Sequence, residues 1–211
     1  MDDPVDSLVE LEANLRDIAR ANRCFGGIAP ISRALETCDA TEVLDVGCGA
    51  ADIPREMLRR ARRRGRRLAI TCLDTSDQML TIARKNAGGL RFVRGDGTAL
   101  PFDDGAFDVA MCSLMLHHLA PVAAVTLLRE MRRVSRLTPV VCDLYRSRVA
   151  YVATWLFTRA SRNRLTRHDG PVSVMRAYTP AELLALAGQA GWRRPAVRRE
   201  PWFRMTLVDR G

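Results

Sequence analysis

The length and composition of the chain limit the classes of protein it can be. With 211 residues it is long enough for one domain of ordinary size and too short for two independent ones. No stretch has the ~18 to 20 uncharged apolar residues of a membrane-spanning helix, and the acidic start MDDPVDSLVE lacks the basic-then-apolar pattern of a secretory signal. We therefore expect a cytoplasmic protein without stable membrane insertion.

The net charge of +9 comes almost entirely from arginine, since Lys85 is the only lysine. The densest basic run, RRARRRGRR at 59–67, falls where we expect the outer face of a helix, and a solvent-exposed face is the simplest interpretation. An anionic or membrane-surface partner is the alternative. The charge alone does not predict a nucleic-acid partner, because an alanine-rich, lysine-poor composition can reflect the base composition of a genome.

Cysteines and histidines show no metal-binding pattern. Cys48, Cys72, Cys112 and Cys142 are scattered through apolar segments, and no C-x-x-C pair occurs. We expect buried free thiols rather than a disulfide framework. The three histidines, at 117, 118 and 168, also lack a zinc-ligand spacing, so no metal site is predicted.

The first 40 residues predict an N-terminal helical cap. Leu8, Leu11, Leu15 and Ile18 follow the spacing of one helix face, and a Gly-Gly pair at 26–27 ends the pattern. We expect this helix to pack over a ligand cleft.

Residues 41–146 alternate between short apolar runs and helical patterns, which is typical of a parallel sheet with crossover helices. The predicted strands lie in EVLDVGCG, LAITCLDTS, LRFVRGDG, FDVAMCSLML and TPVVCDLYR, and the predicted helices in PREMLRRARRRG, SDQMLTIARKNAG and PVAAVTLLREMRRVSR. Right-handed crossovers then give a doubly wound α/β fold with helices on both faces of the sheet. Ligands of such sheets bind beyond the carboxyl ends of the strands, so polar residues at those ends are candidate site residues.

Residues 147–211 are expected to complete this single domain. The segment 147–178, which begins SRVAYVATWLF, is predicted to be an inserted helical lid. The sequence TPAE at 179–182 is a capping box with proline in the first turn, and it predicts a further helix. Two weak strand patterns separated by a charged-proline break at 200–201 would bring the mostly parallel sheet to seven strands.

The turn after the first predicted strand is the strongest local signal. VLDVGCGAAD places Gly47 and Gly49 between a strand and a helix, where backbone N–H groups can face a carboxylate or a phosphate. A dinucleotide site would want glycine or alanine three residues after Gly49, but that position is Asp52, which would set a carboxylate against a pyrophosphate. S-adenosylmethionine has an ammonium as well as a carboxylate, so Asp45 and Asp52 favour this cofactor over a dinucleotide.

Hydrogen-bond acceptors follow the next three strands. Asp74 can accept from both ribose hydroxyls of a nucleoside, although it can equally be a helix cap, as can Thr75. Asp96 can accept from an adenine amino group, and Gly97 leaves room for a flat ring. Ser113, at the end of the fourth strand, completes the predicted cofactor-binding set.

These motifs resemble the seven-stranded class I methyltransferases, which use S-adenosylmethionine, and particularly their quinone-biosynthesis and polyketide-tailoring type. The matching positions are Asp45, Gly47, Gly49, Asp74, Asp96 and the CSLMLHHL segment after the fourth strand. Four motifs in this order across residues 42–119 make the resemblance specific. Ala51 replaces the last glycine usual in the family's loop.

A second resemblance covers most of the chain with less diagnostic segments. NRCFGG near the front, and DLYRSRVAY with RLTRHDGPVSVMRAYTPAEL behind, look like bacterial methyltransferases encoded beside type III polyketide synthases. Those enzymes are associated with phenolic or pyrone products. The resemblance implies a small-molecule acceptor such as a phenolic or polyketide-type hydroxyl.

Histidine is the side chain expected to act as base if the acceptor is a hydroxyl. The candidates are His118, His117 and His168, and Asp143 is the carboxylate best placed to share the role. One member of the 117–118 pair is expected to pack structurally, and His168 precedes an Asp-Gly turn signal. Candidates for the wall of an acceptor pocket, with core packing as the alternative, are Tyr145 and Trp155.

Four functions remain open from the sequence. O-methylation of a phenolic, quinol or pyrone compound comes first, and C-methylation in the same cleft is its nearest rival. A cyclase or isomerase that uses the sulfonium charge without methyl transfer is a third. A nucleic-acid methyltransferase is disfavoured, because CSLM stands at 112–115 in place of an N/D-P-P-Y/F signature and no Pro-Cys nucleophile or RNA-binding module occurs. A homodimer is an open alternative for the quaternary structure.

Overall fold

The computed structural model describes residues 8–161 and 163–211. Residues 1–7, which belong to the acidic start that lacks a secretory-signal pattern, lie outside the described residues, as does Arg162 of the expected lid. Two helices, α1 Leu8–Cys24 and α2 Ala29–Thr37, precede the sheet. Helix α1 ends before Gly26, whose φ of 70° suits a chain reversal, in agreement with the predicted stop.

Strands and helices alternate through the core region. In chain order they are β1 Glu42–Val46, α3 Asp52–Arg63, β2 Ala69–Asp74, α4 Asp77–Asn86, β3 Arg91–Arg94, β4 Val109–Ser113, α5 Pro121–Val134 and β5 Val140–Leu144. A short 3₁₀ helix, Leu116–His118, joins β4 to α5. All five predicted strands and all three predicted crossover helices are therefore present.

The C-terminal part adds three helices and a hairpin. These are α6 Arg148–Thr158, α7 Arg164–Arg176, α8 Pro180–Gln189, β6 Pro195–Glu200 and β7 Arg204–Asp209. The predicted capping box is confirmed, because the Thr179 hydroxyl accepts from the Glu182 N–H and the Glu182 carboxylate accepts from the Thr179 N–H at 2.7 Å. The break between the last two strands lies at 201–203, one residue later than predicted, since Glu200 is the buried last residue of β6.

The seven strands form one sheet in the order β3-β2-β1-β4-β5-β7-β6. The first five are parallel, whereas β7 runs antiparallel to both β5 and β6. The predicted doubly wound α/β fold is confirmed. The strand order reverses between β1 and β4, and this is the place where open parallel sheets leave a crevice for ligands.

Apolar side chains bury both faces of the sheet. Leu44 and Val46 of β1 face one layer with α5 and α8, and Val43 faces the other layer with α2, α3 and α4. This alternation follows from the period of two along a strand. The four cysteines predicted to be buried free thiols are indeed buried and free. Within the described residues no helix is long and apolar enough to cross a membrane.

Candidate cofactor and acceptor cleft

A cleft of about 730 Å³ opens at the carboxyl ends of the first four strands. It is lined by all eight residues predicted to bind a cofactor, namely Asp45, Gly47, Gly49, Asp74, Thr75, Asp96, Gly97 and Ser113. They converge because the ends of neighbouring parallel strands meet at one edge of the sheet, on either side of the order reversal.

The turn after β1 requires glycine for two different reasons. Gly47 has a φ of 73°, and a Cβ atom there would lie 2.5 Å from Met115 Cγ. Gly49 has a φ of 52° and faces open space, and its N–H donates to Asp74 Oδ2 at 2.8 Å. Ala51, which stands where the family usually has glycine, adopts the same left-handed conformation with a φ of 57°. A Cβ atom makes that conformation unfavourable by about 1 to 2 kcal/mol.

Asp74 joins the turns that follow β1 and β2. Its Oδ2 accepts from the Gly49 N–H, and its Oδ1 accepts from the Ser76 N–H at 2.9 Å. Each carboxylate oxygen can accept a further hydrogen bond. Asp74 therefore has a structural role in the loop and retains acceptor capacity toward the cleft.

Asp45 is a buried carboxyl group without a complete set of partners. It is 2% exposed, and its Oδ1 has no hydrogen-bond partner among the described residues. Burial raises the pKa of Asp45 to about 8, with further contributions from the negative charges of Asp52 and Asp74. A cation bound in this part of the cleft would offset the cost of ionising Asp45.

A second polar atom of the cleft is also unpaired. The Ser113 hydroxyl is buried and has no partner among the described residues. The next residue, Leu114, has a φ of 53°, an unusual conformation for leucine, at the point where the chain leaves β4. Buried polar atoms normally have partners, so Ser113 and Asp45 together indicate a place for a polar ligand.

The end of β3 contributes Asp96 and Gly97, and the structure adds a packing reason for the glycine. Asp96 Oδ1 accepts from the Thr98 N–H at 2.8 Å. A Cβ atom at Gly97 would lie 2.7 Å from Leu127 Cδ1 and 2.8 Å from Val46 Cγ1. The close approach of the core therefore also requires glycine here, and the predicted reason, room for a flat ring, stays a prediction for a residue that lines the cleft.

Helix α1 lines the cleft, as the apolar stripe predicted. Leu11, Leu15 and Ile18 are lining residues, while the side chain of Leu8 lies outside the described ones. Asn22 continues the same stripe and also lines the cleft, although it was not predicted. Its Nδ2 donates to Asp52 Oδ2 at 2.9 Å, and its Oδ1 accepts from Arg204 Nη2 of β7 at 2.9 Å. A buried polar residue at this spacing was the signal that could have found it.

Among the four candidate bases, the cleft contains His118. His117 is buried beside it, with the two ring centroids 4.3 Å apart. The His117 N–H donates to Asp143 Oδ2 at 3.1 Å, and His117 Nδ1 lies 2.7 Å from Asp143 Oδ1. Burial alone would raise the pKa of Asp143, but the attraction and hydrogen bonds of His117 hold it below its usual value. Asp143 is thus a buried partner of His117 and does not line the cleft.

The structure places the remaining candidates away from the cleft. His168 is exposed and bonded to Asp169, and the expected turn at Asp-Gly is instead the middle of α7. Gly170 serves helix packing, since an added Cβ atom would lie 2.7 Å from Thr158 Cγ2 of α6. Trp155 lies on the outer side of α6 with 39% exposure.

Tyr145 packs against the core and contacts Phe203, with ring centroids 6.2 Å apart, so it does not line the cleft either. Further apolar lining residues that were not predicted come from loops, from the first turns of α3 and α4 and from the middle of α5, namely Ile53, Met79, Leu114, Leu119 and Leu127. Among the described residues, no three His, Cys, Asp or Glu side chains are arranged to hold a metal ion.

The strand order, the reversed β7 and the glycine turn define the fold of class I methyltransferases. The crystal structure of magnesium protoporphyrin IX methyltransferase from Synechocystis, determined with bound SAH, superposes with a TM-score of 0.58. The two chains are 12% identical, and the superposition covers 98% of this chain and 88% of the other. At that identity the likeness establishes the fold.

Sequence comparison finds similar proteins for part of the chain. The family model described as "Methyltransferase domain" matches residues 43–137. Demethylmenaquinone methyltransferase from Thermotoga maritima is 38% identical over 93 residues, which are 44% of this chain and 38% of that protein. Malonyl-[acyl-carrier protein] O-methyltransferase from Erwinia pyrifoliae is 35% identical over 98 residues, 46% of this chain and 34% of that protein.

The chain spans about a third of the length of the curated relatives it matches. The matched part contains the glycine turn and the ends of β1 to β4. The predicted enzyme class and the predicted cofactor, S-adenosylmethionine, agree with these matches.

Proposed function

We propose that the protein is an S-adenosylmethionine-dependent methyltransferase whose acceptor is a hydroxyl oxygen of a small phenolic or polyketide-type compound. One arrangement supports the proposal above all. The glycine turn, the Asp74 acceptor and the unpaired polar atoms of Asp45 and Ser113 line the same cleft as His118. This set combines the groups that a sulfonium nucleoside requires with a base for the acceptor.

The residues present fit the cofactor. Asp74 would accept from the ribose hydroxyls and Asp96 from the adenine amino group. Asp45, buried and lacking a partner for Oδ1, would face the ammonium group. When bound, the cofactor supplies an already activated methyl group, so positioning by these residues is expected to account for most of the rate enhancement.

His118 is the residue that we assign to the acceptor. A ring nitrogen of His118 would take the proton of the acceptor hydroxyl, which makes the oxygen a better nucleophile. His117, held by Asp143, stacks against the His118 ring and fixes the 3₁₀ helix. The Tyr178 hydroxyl donates to the Leu119 carbonyl at 2.7 Å and fixes the residue that follows.

C-methylation of a quinone-type ring is the second candidate. It is supported by the 38% identity to a demethylmenaquinone methyltransferase in the cofactor-binding half. The same cleft and the same base would serve both reactions, because a phenolic hydroxyl activates its ring carbons once it loses a proton. The acceptor atom therefore has to be determined from the product.

The deciding experiment uses S-adenosylmethionine labelled with ¹³C in the methyl group and a panel of phenols, quinols and pyrones. We expect S-adenosylhomocysteine and labelled product in equal amounts, with the methyl resonance of a methoxy group. A ring-methyl resonance would instead establish the C-methyl alternative. Cofactor binding without S-adenosylhomocysteine for any acceptor would favour the cyclase or isomerase chemistry. If calorimetry detects binding of neither S-adenosylmethionine nor S-adenosylhomocysteine, the proposal is wrong.

A further inference from the structure

Helix α6 turns its apolar side chains outward. Val149, Val152 and Leu156 occupy one helix face and are 68%, 54% and 60% exposed. The opposite face is made of small and polar groups, and its two threonines, at 154 and 158, pack against Gly170 of α7. Because a surface helix normally buries its apolar face, the outer face of α6 is built for contact with something other than this chain.

Aromatic side chains extend this face toward the last hairpin. Phe157 of α6 is 59% exposed and contacts Phe25, with ring centroids 4.8 Å apart. Phe25 also contacts Trp202, with ring centroids 5.2 Å apart. The Trp202 side chain is 59% exposed, and its backbone has a φ of 61°. A large side chain that is both exposed and in a strained backbone conformation indicates a constraint other than stability. The α6 surface comprises Val149, Val152, Trp155, Leu156, Phe157 and Trp202.

The two ends of the exposed helix face are basic. Arg148 and Arg159 are exposed, and neither forms an ion pair with the residues that the structure describes. The guanidinium of Arg159 lies 4.5 Å from the centre of the Trp155 ring. Residues 146–168 include six arginines and no aspartate or glutamate. Near the end of α6, the Asp17 carboxylate accepts a hydrogen bond from the Ser161 hydroxyl at 2.7 Å.

We propose that the α6 surface binds an anionic lipid membrane, with the helix lying in the interface. Aliphatic and aromatic side chains bordered by arginines are the features that place a helix among lipid headgroups. A second copy of this chain is disfavoured as the partner of this surface. Pairing two α6 helices in either direction would bring arginines against arginines without a carboxylate between them. Helix α6 has 11 residues, too few to span a bilayer, so the contact is peripheral.

The position of the α6 surface connects it to the cleft. Helix α7 packs against α6 and also contacts α1, which lines the cleft. A membrane bound at α6 would therefore hold the cleft near the lipid surface, where an apolar acceptor would be concentrated. The membrane proposal itself stands on the exposed residues and charges, and it does not require the proposed methyl transfer.

Vesicle flotation of the full chain tests the proposal. The probes are vesicles of equal parts phosphatidylglycerol and phosphatidylcholine, compared with pure phosphatidylcholine. We expect binding to the anionic vesicles that weakens with added salt and is at least about tenfold weaker with phosphatidylcholine. R148Q/R159Q should weaken binding by about tenfold or more, whereas R63Q/R67Q, which removes the same charge from the basic run at 59–67, should change it by less than about twofold.

A second matched pair separates the apolar contribution from the electrostatic one. V149S/L156S removes two exposed side chains of the α6 surface, and V122S/L137S removes the same residue types from exposed positions elsewhere. We expect at least about a fivefold loss for the first pair and little change for the second. Equal losses in the matched variants, or no binding to anionic vesicles, would overturn the proposal. A dimer in sedimentation velocity that V149S/L156S dissociates, without vesicle binding, would assign the surface to a second copy.

Discussion

His117 Nδ1, from the 3₁₀ helix that ends in His118, lies 2.7 Å from Asp143 Oδ1, and both side chains are buried. The pair couples the end of β5 to the loop after β4, because the His117 N–H donates to the other carboxylate oxygen. Breaking a buried pair by changing one partner leaves the other uncompensated.

Asp143→Asn should therefore destabilise the protein by about 2 to 4 kcal/mol near neutral pH. The pKa of Asp143 is lower in the folded than in the unfolded chain, so its stabilising contribution is present above about pH 4 and is lost as the pH falls through the folded pKa. Urea denaturation of the wild type and the variant from acid to neutral pH measures this pH dependence of the free energy of unfolding. The exposed Asp103→Asn is the control. A constant difference between wild type and variant at all pH values would contradict the assignment.

Asp45→Asn should stabilise the free protein at neutral pH by at least about 1 kcal/mol. The pKa of Asp45 is raised to about 8 by burial, so the cost of ionising it is absent below its unfolded pKa near 4 and grows as the pH rises toward 8. Thermal unfolding at pH 5 and pH 8 should show a larger gain for the variant at pH 8. Asp96→Asn, an exposed carboxyl group of the same cleft, is the control. The same Asp45 variant should bind the cofactor more weakly, and unchanged affinity would argue against an ammonium contact.

Asp74→Ala should weaken S-adenosylmethionine binding by about 1.5 to 3 kcal/mol, the range for hydrogen bonds to a charged group. Calorimetry gives the affinity, and circular dichroism checks that the variant is folded, because Asp74 also accepts from Gly49 and Ser76. The control is Asp77→Ala, which removes a nearby carboxylate that pairs with Arg94 and does not line the cleft. The affinity of this variant for S-adenosylmethionine should stay at the wild-type value. Equal affinities for the two variants would disprove the assignment of Asp74.

His118→Ala should reduce kcat by about a hundredfold or more while leaving cofactor affinity unchanged, since a general base contributes that much to a proton transfer. His168→Ala removes the same side chain from an exposed position outside the cleft and should leave kcat unchanged. The kcat of His118→Gln separates loss of the base from loss of packing, because glutamine fills space without accepting the proton. A fully active His118→Ala protein would show that the acceptor needs no histidine base.

Ala51→Gly should raise the free energy of unfolding by up to about 1 kcal/mol, because alanine in the left-handed conformation costs more than the backbone entropy that glycine adds. Ala50→Gly, at the neighbouring position without a positive φ, should lower it by about 0.5 to 1 kcal/mol. Chemical denaturation of the two variants gives the comparison. Destabilisation by both substitutions would show that the Ala51 methyl contributes more through packing than it costs through strain.

Much of the site was predictable because it is built from strand ends. The apolar run of a parallel strand indicates the length and burial of that strand, and Asp45, Asp74 and Asp96 lie within two residues of the carboxyl ends of β1, β2 and β3. Once the strands are parallel, their ends must meet at one edge, which is why all eight predicted cofactor residues line one cleft.

The sequence by itself thus determined the fold class, the order of strands and helices, and the edge of the sheet where a ligand fits. Only the tertiary structure decided which histidine reaches the cleft, since His117 and His118 are adjacent in sequence but point one toward Asp143 and the other toward the cavity. It also decided that the His168 side chain is exposed on α7 and that α6 presents its apolar face outward. The physical reason is that strand periodicity reports local burial, whereas the side of a helix that becomes buried depends on which other helix packs against it, here α7 through Gly170.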